Sequence, residues 1–159
     1  MGRSLVLYFS AGGITRTVAK NLREATGADI CEIKPKIPYK PEDLNWMDKN
    51  SRSSIEMNDK SSRPEVQEAV AIDISDYDKI FLGFPIWWYV APTCVNSFLE
   101  KYDFSNKKII LFATSGGSRF GETVKYLKPS VAPSCEIIEG EVFSVAASLE
   151  KLKAWADKY

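Results

Sequence analysis

The sequence contains no histidine, which removes both the commonest zinc ligand and the usual general base of enzymes. Its three cysteines, Cys31, Cys94 and Cys135, lie far apart and form no CxxC pair or other metal-ligand spacing. We therefore expect no metal site, and the lack of histidine fits a site with no catalytic side chain. Isolated thiols in odd number favour reduced cysteines in or near the core of a cytoplasmic protein.

An excess of charge of either sign is also lacking. Lysine and arginine together number 21, as do aspartate and glutamate, so the formal charge is zero. A nucleic-acid interface needs clustered positive charge, so nucleic acid is not expected as a partner. No run of about 18 apolar residues is present, so no membrane span is expected. The N-terminus shows no secretory signal pattern, which again favours the cytoplasm.

What is present is an alternation of apolar runs with amphipathic stretches. The 159 residues, 45% of them hydrophobic, suit one domain over residues 1–159. Continuous apolar runs predict strands over 4–9, 29–33, 79–84, 108–113 and 136–143. Apolar residues at helical spacing predict helices over 14–25, 95–102 and 122–128, weaker ones over 42–57 and 65–71, and a last helix capped by Ser144. Five alternations predict an α/β fold, a parallel sheet covered by helices on both faces.

The loop after the first strand brackets two glycines with two hydroxyls at the start of a helix. Such a loop presents backbone amides and the positive end of the helix dipole to an anion, so we interpret it as a phosphate site. The alternative is an ordinary strand-to-helix turn. Arg16, in the first helical turn, is interpreted as a solvated charge. The candidate residues are Ser10, Ala11, Gly12, Gly13, Ile14 and Thr15.

The loop after the strand 79–84 is unusually aromatic. Two tryptophans and a tyrosine in succession are difficult to bury, and at the end of a strand they favour a wall for a flat aromatic ligand. The alternative is that some of these rings fill the core, because a strand-like course sends Trp87 and Trp88 to opposite sides. The candidate residues are Pro85, Ile86, Trp87, Trp88 and Tyr89.

The loop after the strand 108–113 again combines paired glycines with hydroxyls. Glycines allow a ligand to approach the backbone closely, and the hydroxyls can donate or accept hydrogen bonds. This pattern alone is a weak indication of a ligand site. It is stronger because this is the third such loop expected at the same edge of the sheet. Arg119 is interpreted as a solvated charge. The candidate residues are Thr114, Ser115, Gly116, Gly117 and Ser118.

Together the segments Tyr-Phe-Ser-Ala-Gly-Gly-Ile-Thr, Gly-Phe-Pro-Ile-Trp-Trp-Tyr-Val-Ala-Pro and Phe-Ala-Thr-Ser-Gly-Gly-Ser resemble the flavodoxin family, over about residues 5–144. The resemblance implies a three-layer α/β/α sandwich of short-chain type, with strand order 2-1-3-4-5. It also implies noncovalently bound FMN. The first loop would then surround the 5′-phosphate, the second would line one side of the isoalloxazine, and the third would contact its other edge.

The resemblance leaves two functions open. One is an electron-transfer flavoprotein that serves redox partner proteins; the other is an NAD(P)H-dependent FMN reductase of quinones or similar small-molecule acceptors, which the neutral charge favours. A monomer and a homodimer both remain open, as does the role of residues 34–77, which could fold over the flavin. Many members have Thr-Gly-Asn-Thr where this chain has Gly12-Gly13-Ile14-Thr15, which predicts weaker phosphate binding.

Overall fold

A parallel sheet forms the centre of the protein, in a computed structural model that describes residues 3–159. Its strands in that range are β1 (Arg3–Tyr8), β2 (Asp29–Glu32), β3 (Tyr77–Pro85), β4 (Lys108–Thr114) and β5 (Glu136–Val142). They lie in the order β2-β1-β3-β4-β5, and every neighbouring pair is parallel. The predicted α/β class and the strand order implied by the resemblance are both confirmed.

Helices cover both faces of the sheet. They are α1 (Ile14–Thr26), α2 (Arg52–Asn58), α3 (Thr93–Lys101), α4 (Thr123–Leu127) and α5 (Leu149–Ala156). Along β1, Leu5 and Leu7 join the core beneath α3 and α4, whereas Val6 joins the core beneath α1 and α5. Both faces of the central strands are therefore buried, which explains why these strands are continuous apolar runs in the sequence.

The connection between β2 and β3 differs most from the sequence-based prediction. The helix predicted over 42–57 is a 3-10 turn at Pro41–Leu44 followed, after a break, by α2. Within the break, the side chains of Asn45 and Asp48 accept hydrogen bonds from backbone amides two residues ahead. Such local bonds compete with helical hydrogen bonding and stop the helix from being continuous.

Two further helical predictions are wrong. Residues 65–71 are not helical, because Val66 forms an isolated antiparallel bridge with Pro35 and so runs extended. The last helix is capped by Ser148, not by Ser144: the Lys151 amide donates to Ser148 Oγ at 3.1 Å. A serine at the cap satisfies an amide that a helix cannot pair internally.

The pairing of β4 with β5 is irregular at one point. Glu139 and Gly140 of β5 both lie opposite Leu111 of β4, which is a β-bulge. Gly140 lies against the Leu111 carbonyl and against the indole of Trp155 on α5. The bulge therefore determines the path of β5, and its contact with Trp155 determines where α5 packs on the sheet.

The cysteines lie in or near the core. Cys94 is buried, Cys31 and Cys135 are partly buried, and none of the three forms a disulfide. Burial raises the pKa of the Cys135 thiol to about 11 and raises that of Cys31 as well. Within residues 3–159, no group of acidic or cysteine side chains is arranged to hold a metal ion. No helix in that range has the length and apolar character needed to cross a bilayer.

Candidate functional site

Two adjoining cavities lie beyond the carboxyl ends of the strands. The inner cavity, of about 450 Å³, is lined by Ser10, Ala11, Gly12, Ile14, Thr15, Leu44, Pro85, Ile86, Trp87, Thr114, Ser115, Gly116, Phe143, Ser144 and Val145. The aromatic cavity, of about 610 Å³, is lined by Leu44, Trp46, Ser53, Ile86, Trp87, Trp88, Tyr89, Ser115, Gly116, Gly117 and Ser118. Because they share five residues, the two cavities form one groove.

The first loop ends at a helix whose N-terminus is left open. Gly13 is the N-cap of α1 and offers no side chain to the first turn, which also contains no acidic residue. The Gly13 N–H itself donates to Ser10 Oγ at 3.0 Å, which fixes the loop. The first amides of α1 therefore remain available to an anion, and the helix dipole favours negative charge there.

Two buried hydroxyls join the first loop to the third. Thr15 Oγ1 and Thr114 Oγ1 are 2.7 Å apart, and the residues are only 2% and 5% exposed. Their pairing holds the start of α1 against the end of β4, across the switch point of the sheet. Since each hydroxyl can donate one hydrogen bond and accept two, the pair can still serve a ligand in the inner cavity.

The aromatic loop is a strained two-residue turn. The Trp87 N–H donates to the Val90 carbonyl at 2.9 Å, and the Val90 N–H donates back to the Trp87 carbonyl at 3.1 Å. Between them, Trp88 and Tyr89 have φ values of 49° and 67°, a region that side chains larger than asparagine rarely adopt. Such residues cost about 1–3 kcal/mol each and cluster at functional sites.

The turn separates the two tryptophans. The Trp87 ring packs edge-to-face on Phe9 and Tyr39, with ring centroids 5.7 and 5.3 Å away. Trp88 and Tyr89 are 38% and 68% exposed at the mouth of the groove. One indole is thus packed inward and the other is outward, but the cause is the turn and not a strand-like alternation.

The third loop is held by its own hydroxyls. Ser115 Oγ lies 2.9 Å from Ser118 Oγ and accepts a hydrogen bond from the Gly117 N–H at 3.1 Å. Further along, Gly121 packs directly against the backbone of Tyr89. The third loop therefore supports the aromatic turn from behind.

The groove brings together all of the predicted site residues except Gly13, which lies at the cap behind it. It also includes six residues that the sequence analysis missed. Leu44, Trp46 and Ser53 come from the segment between β2 and β3, where the sequence has no clear periodicity. The other three, Phe143, Ser144 and Val145, follow β5. Their signal was available, because β5 ends at the same edge of the sheet as the other strands.

No charged side chain lines the groove, and Tyr89 carries the one titratable group among its lining residues within 3–159. Arg16 does not face either cavity. Its guanidinium pairs with Glu32 Oε2 at 2.8 Å, a contact that raises the pKa of Arg16. The interpretation of Arg16 as merely solvated is therefore incomplete. A ligand in the groove meets only amides, hydroxyls, aliphatic groups and aromatic rings.

Comparison with known proteins agrees with this architecture. The family model for flavodoxins matches residues 3–159. Crystal structures assigned as flavoproteins from Bacteroides eggerthii and Bacteroides uniformis are similar, with 39% and 42% identity and TM-scores of 0.90 and 0.89. The first alignment covers 99% of this chain and 98% of that protein, and the second covers 98% of each.

A more distant structure shares the fold. It is a flavoprotein from Lactobacillus acidophilus in complex with FMN, with 21% identity, a TM-score of 0.70 and coverage of 98% of this chain and 99% of that one. A search of curated proteins gave no match. The family match over nearly the whole chain confirms the resemblance read from the three loops, and the chain belongs to the flavodoxin family.

Proposed function

We propose that this protein binds FMN noncovalently in the groove and transfers electrons. Membership of the flavodoxin family and the FMN complex of the Lactobacillus acidophilus flavoprotein support the cofactor predicted from the sequence. The donor set fits FMN as well. One end of the groove offers amides and hydroxyls suited to a phosphate, and the other offers aromatic walls suited to a planar ring.

The residues of the inner cavity would hold the phosphate. The open amides at the start of α1 and the paired hydroxyls of Thr15 and Thr114 are all neutral donors. Hydrogen bonds from neutral groups to a phosphate are charge-assisted and need no lysine or arginine beside them. Trp87, Trp88 and Tyr89, together with residues 115–118, would line the space for the isoalloxazine.

The single observation that carries the electron-transfer function is the neutral lining of the groove. Bound FMN supplies the redox chemistry, and the protein binds it, orients it and sets its electrostatic surroundings. Proton-transfer catalysis needs a positioned acid or base, and among the described lining residues only the exposed phenol of Tyr89 could serve. The redox chemistry is therefore left to the flavin, and a redox partner protein would reach it at the exposed edge of the aromatic turn.

A reductase on the same site is the second candidate. The zero formal charge and the open aromatic cavity, which leaves Trp46 and Tyr89 well exposed, would suit a small planar donor or acceptor. Mixing the FMN-loaded protein anaerobically with NADPH or NADH separates the two functions. We expect flavin absorbance to persist unless a separate reductase is added. Rapid bleaching by the nicotinamide alone would instead establish the reductase.

Removal of the Thr15 hydroxyl is expected to weaken FMN binding by about 1–3 kcal/mol, which is about fivefold to 150-fold in Kd. The reason is loss of a buried donor at the phosphate end, so riboflavin, which lacks the phosphate, should bind the Thr15→Ala variant as it binds the wild type. Flavin fluorescence titration measures both constants. Thr17→Ala, an exposed position on the same helix, is the control. If the Thr15→Ala variant lost as much affinity for riboflavin as for FMN, Thr15 would not contact the phosphate.

A further inference from the structure

One hydroxyl buried beside the groove has no hydrogen-bond partner among residues 3–159. Ser53, in the first turn of α2, is only 2% exposed, and its Oγ makes no hydrogen bond within residues 3–159. A buried polar group left unsatisfied destabilises the folded state, and native proteins contain few of them. Ser53 also lines the aromatic cavity. The hydroxyl is therefore buried beside the cavity, and a rotation of the Ser53 side chain about χ1 would bring it to a ligand that could satisfy it.

The neighbouring serines show that this is not a general property of α2. Ser51 Oγ caps the helix by accepting from the Ser54 N–H at 3.3 Å, and it lies 2.8 Å from Ser54 Oγ. Both of these hydroxyls are thus satisfied within the helix. Capping accounts for Ser51 and Ser54 but leaves the Ser53 hydroxyl unused.

Contacts on both sides of Ser53 fix its position relative to the groove. The Arg52 Nε pairs with Glu56 Oε2 at 2.9 Å, and the Arg52 guanidinium lies 3.8 Å from the ring centroid of Tyr39. The Tyr39 ring in turn packs against Trp87, a wall of the aromatic cavity. Through this chain of contacts α2 is anchored to the groove, so the backbone of Ser53 is positioned beside the cavity before any ligand arrives.

We propose that Ser53 is a ligand-binding residue whose hydroxyl forms a hydrogen bond with the polar edge of the flavin ring. This inference rests on the proposed binding of FMN. The groove is continuous: a phosphate near Thr15 places the ring of the same molecule toward the aromatic cavity, where Ser53 lies. The segment between β2 and β3 thereby contributes a specific contact to the cofactor and does more than cover the groove.

The test is the Ser53→Ala variant, measured with and without flavin. We expect the Kd for FMN to rise about threefold to tenfold, the factor for one lost hydrogen bond, and the Kd for riboflavin to rise by the same factor, because the ring is common to both. In the absence of flavin, the midpoint of urea unfolding should stay the same or rise, because an unsatisfied hydroxyl has been removed. A purely structural role predicts the opposite sign for stability.

The matched control is Ser54→Ala, which removes a partnered hydroxyl from the adjacent position. We expect this variant to be less stable than the wild type and to keep its flavin affinity. Unchanged flavin affinity in Ser53→Ala would overturn the inference, and so would a loss for FMN alone, since that locates the contact at the phosphate. If the wild-type protein bound neither FMN nor riboflavin, the proposed function itself would fall, which is a different result from either of these.

Discussion

The Gly121→Ala variant is expected to lose about 2–4 kcal/mol of unfolding free energy and most of its FMN affinity. A Cβ at this position would lie 2.4 Å from the carbonyl oxygen of Tyr89 and 3.1 Å from the Tyr89 Cβ. The φ of 52° adds about 1 kcal/mol for any residue with a side chain, and the collision adds about 1–3 kcal/mol. The backbone of Tyr89 cannot easily move away from the added Cβ, because it is already in a left-handed conformation inside a tight turn.

Urea unfolding and flavin titration measure the two effects separately. Gly27→Ala is the control, because Gly27 has a φ of 73° but nothing within 4 Å of the added methyl group. That variant should show the backbone cost alone, about 1 kcal/mol, with unchanged FMN affinity. If Gly121→Ala behaved like Gly27→Ala in both measurements, the third loop would not support the aromatic turn.

The Gly140→Ala variant is expected to destabilise the protein by about 2–4 kcal/mol through the edge strand β5. The added Cβ would lie 2.1 Å from the Leu111 carbonyl oxygen and 2.6 Å from Cζ2 of Trp155. Overpacking of this kind typically costs about 1–3 kcal/mol, and here it also disturbs the bulge. The Trp155 ring has little room to move. It packs against Phe81, Phe112, Phe143 and Tyr159.

The measurement is the urea midpoint together with near-UV circular dichroism, to which the packed indole of Trp155 contributes along with the other aromatic side chains. Glu139→Ala, at the exposed neighbouring position of the same bulge, should keep the wild-type midpoint. A wild-type midpoint for Gly140→Ala as well would show that the bulge relaxes without cost. Because Phe143 lies beside the groove as well as on Trp155, a moderate loss of FMN affinity is expected alongside the loss of stability.

The sequence predicts the central sheet well for a simple physical reason. Strands such as β1 and β4 are buried on both faces, so they are uninterrupted apolar runs that are hard to mistake. The order of the strands was not readable from these runs and came from the resemblance to flavodoxins. The glycine and hydroxyl loops were also identifiable, since parallel strands all point their carboxyl ends to one edge.

The position of the aromatic loop could be predicted from the sequence, but its backbone conformation could not. Two-residue turns with left-handed backbone normally carry asparagine or glycine, and here Trp88 and Tyr89 occupy those positions. Their conformation is imposed by tertiary contacts such as that with Gly121, which local sequence does not reveal. The strand-like course that the sequence analysis considered as an alternative for Trp87 and Trp88 is therefore not the one adopted.

The segment between β2 and β3 resisted prediction because its structure depends on side-chain contacts between residues far apart in the sequence. Tyr39 packs on Phe9, and Arg63 pairs with Glu100 at 3.0 Å. Polar composition and scattered prolines give such a segment no periodicity. Its groove residues, Ser53 among them, are consequently visible only in the folded chain. That residues 1–159 form one domain stays a prediction, and a monomer and a homodimer both stay open.

Among residues 3–159, no fully charged side chain lines the groove, and this has a consequence for the conditions under which the protein can hold its cofactor. Dissolved salt weakens attraction between ions, but it has little effect on fixed amide and hydroxyl dipoles in a partly buried cleft. Retention of the phosphorylated flavin should therefore vary little between dilute and saline surroundings. A cleft built on lysines would instead release its anionic ligand as ionic strength increased.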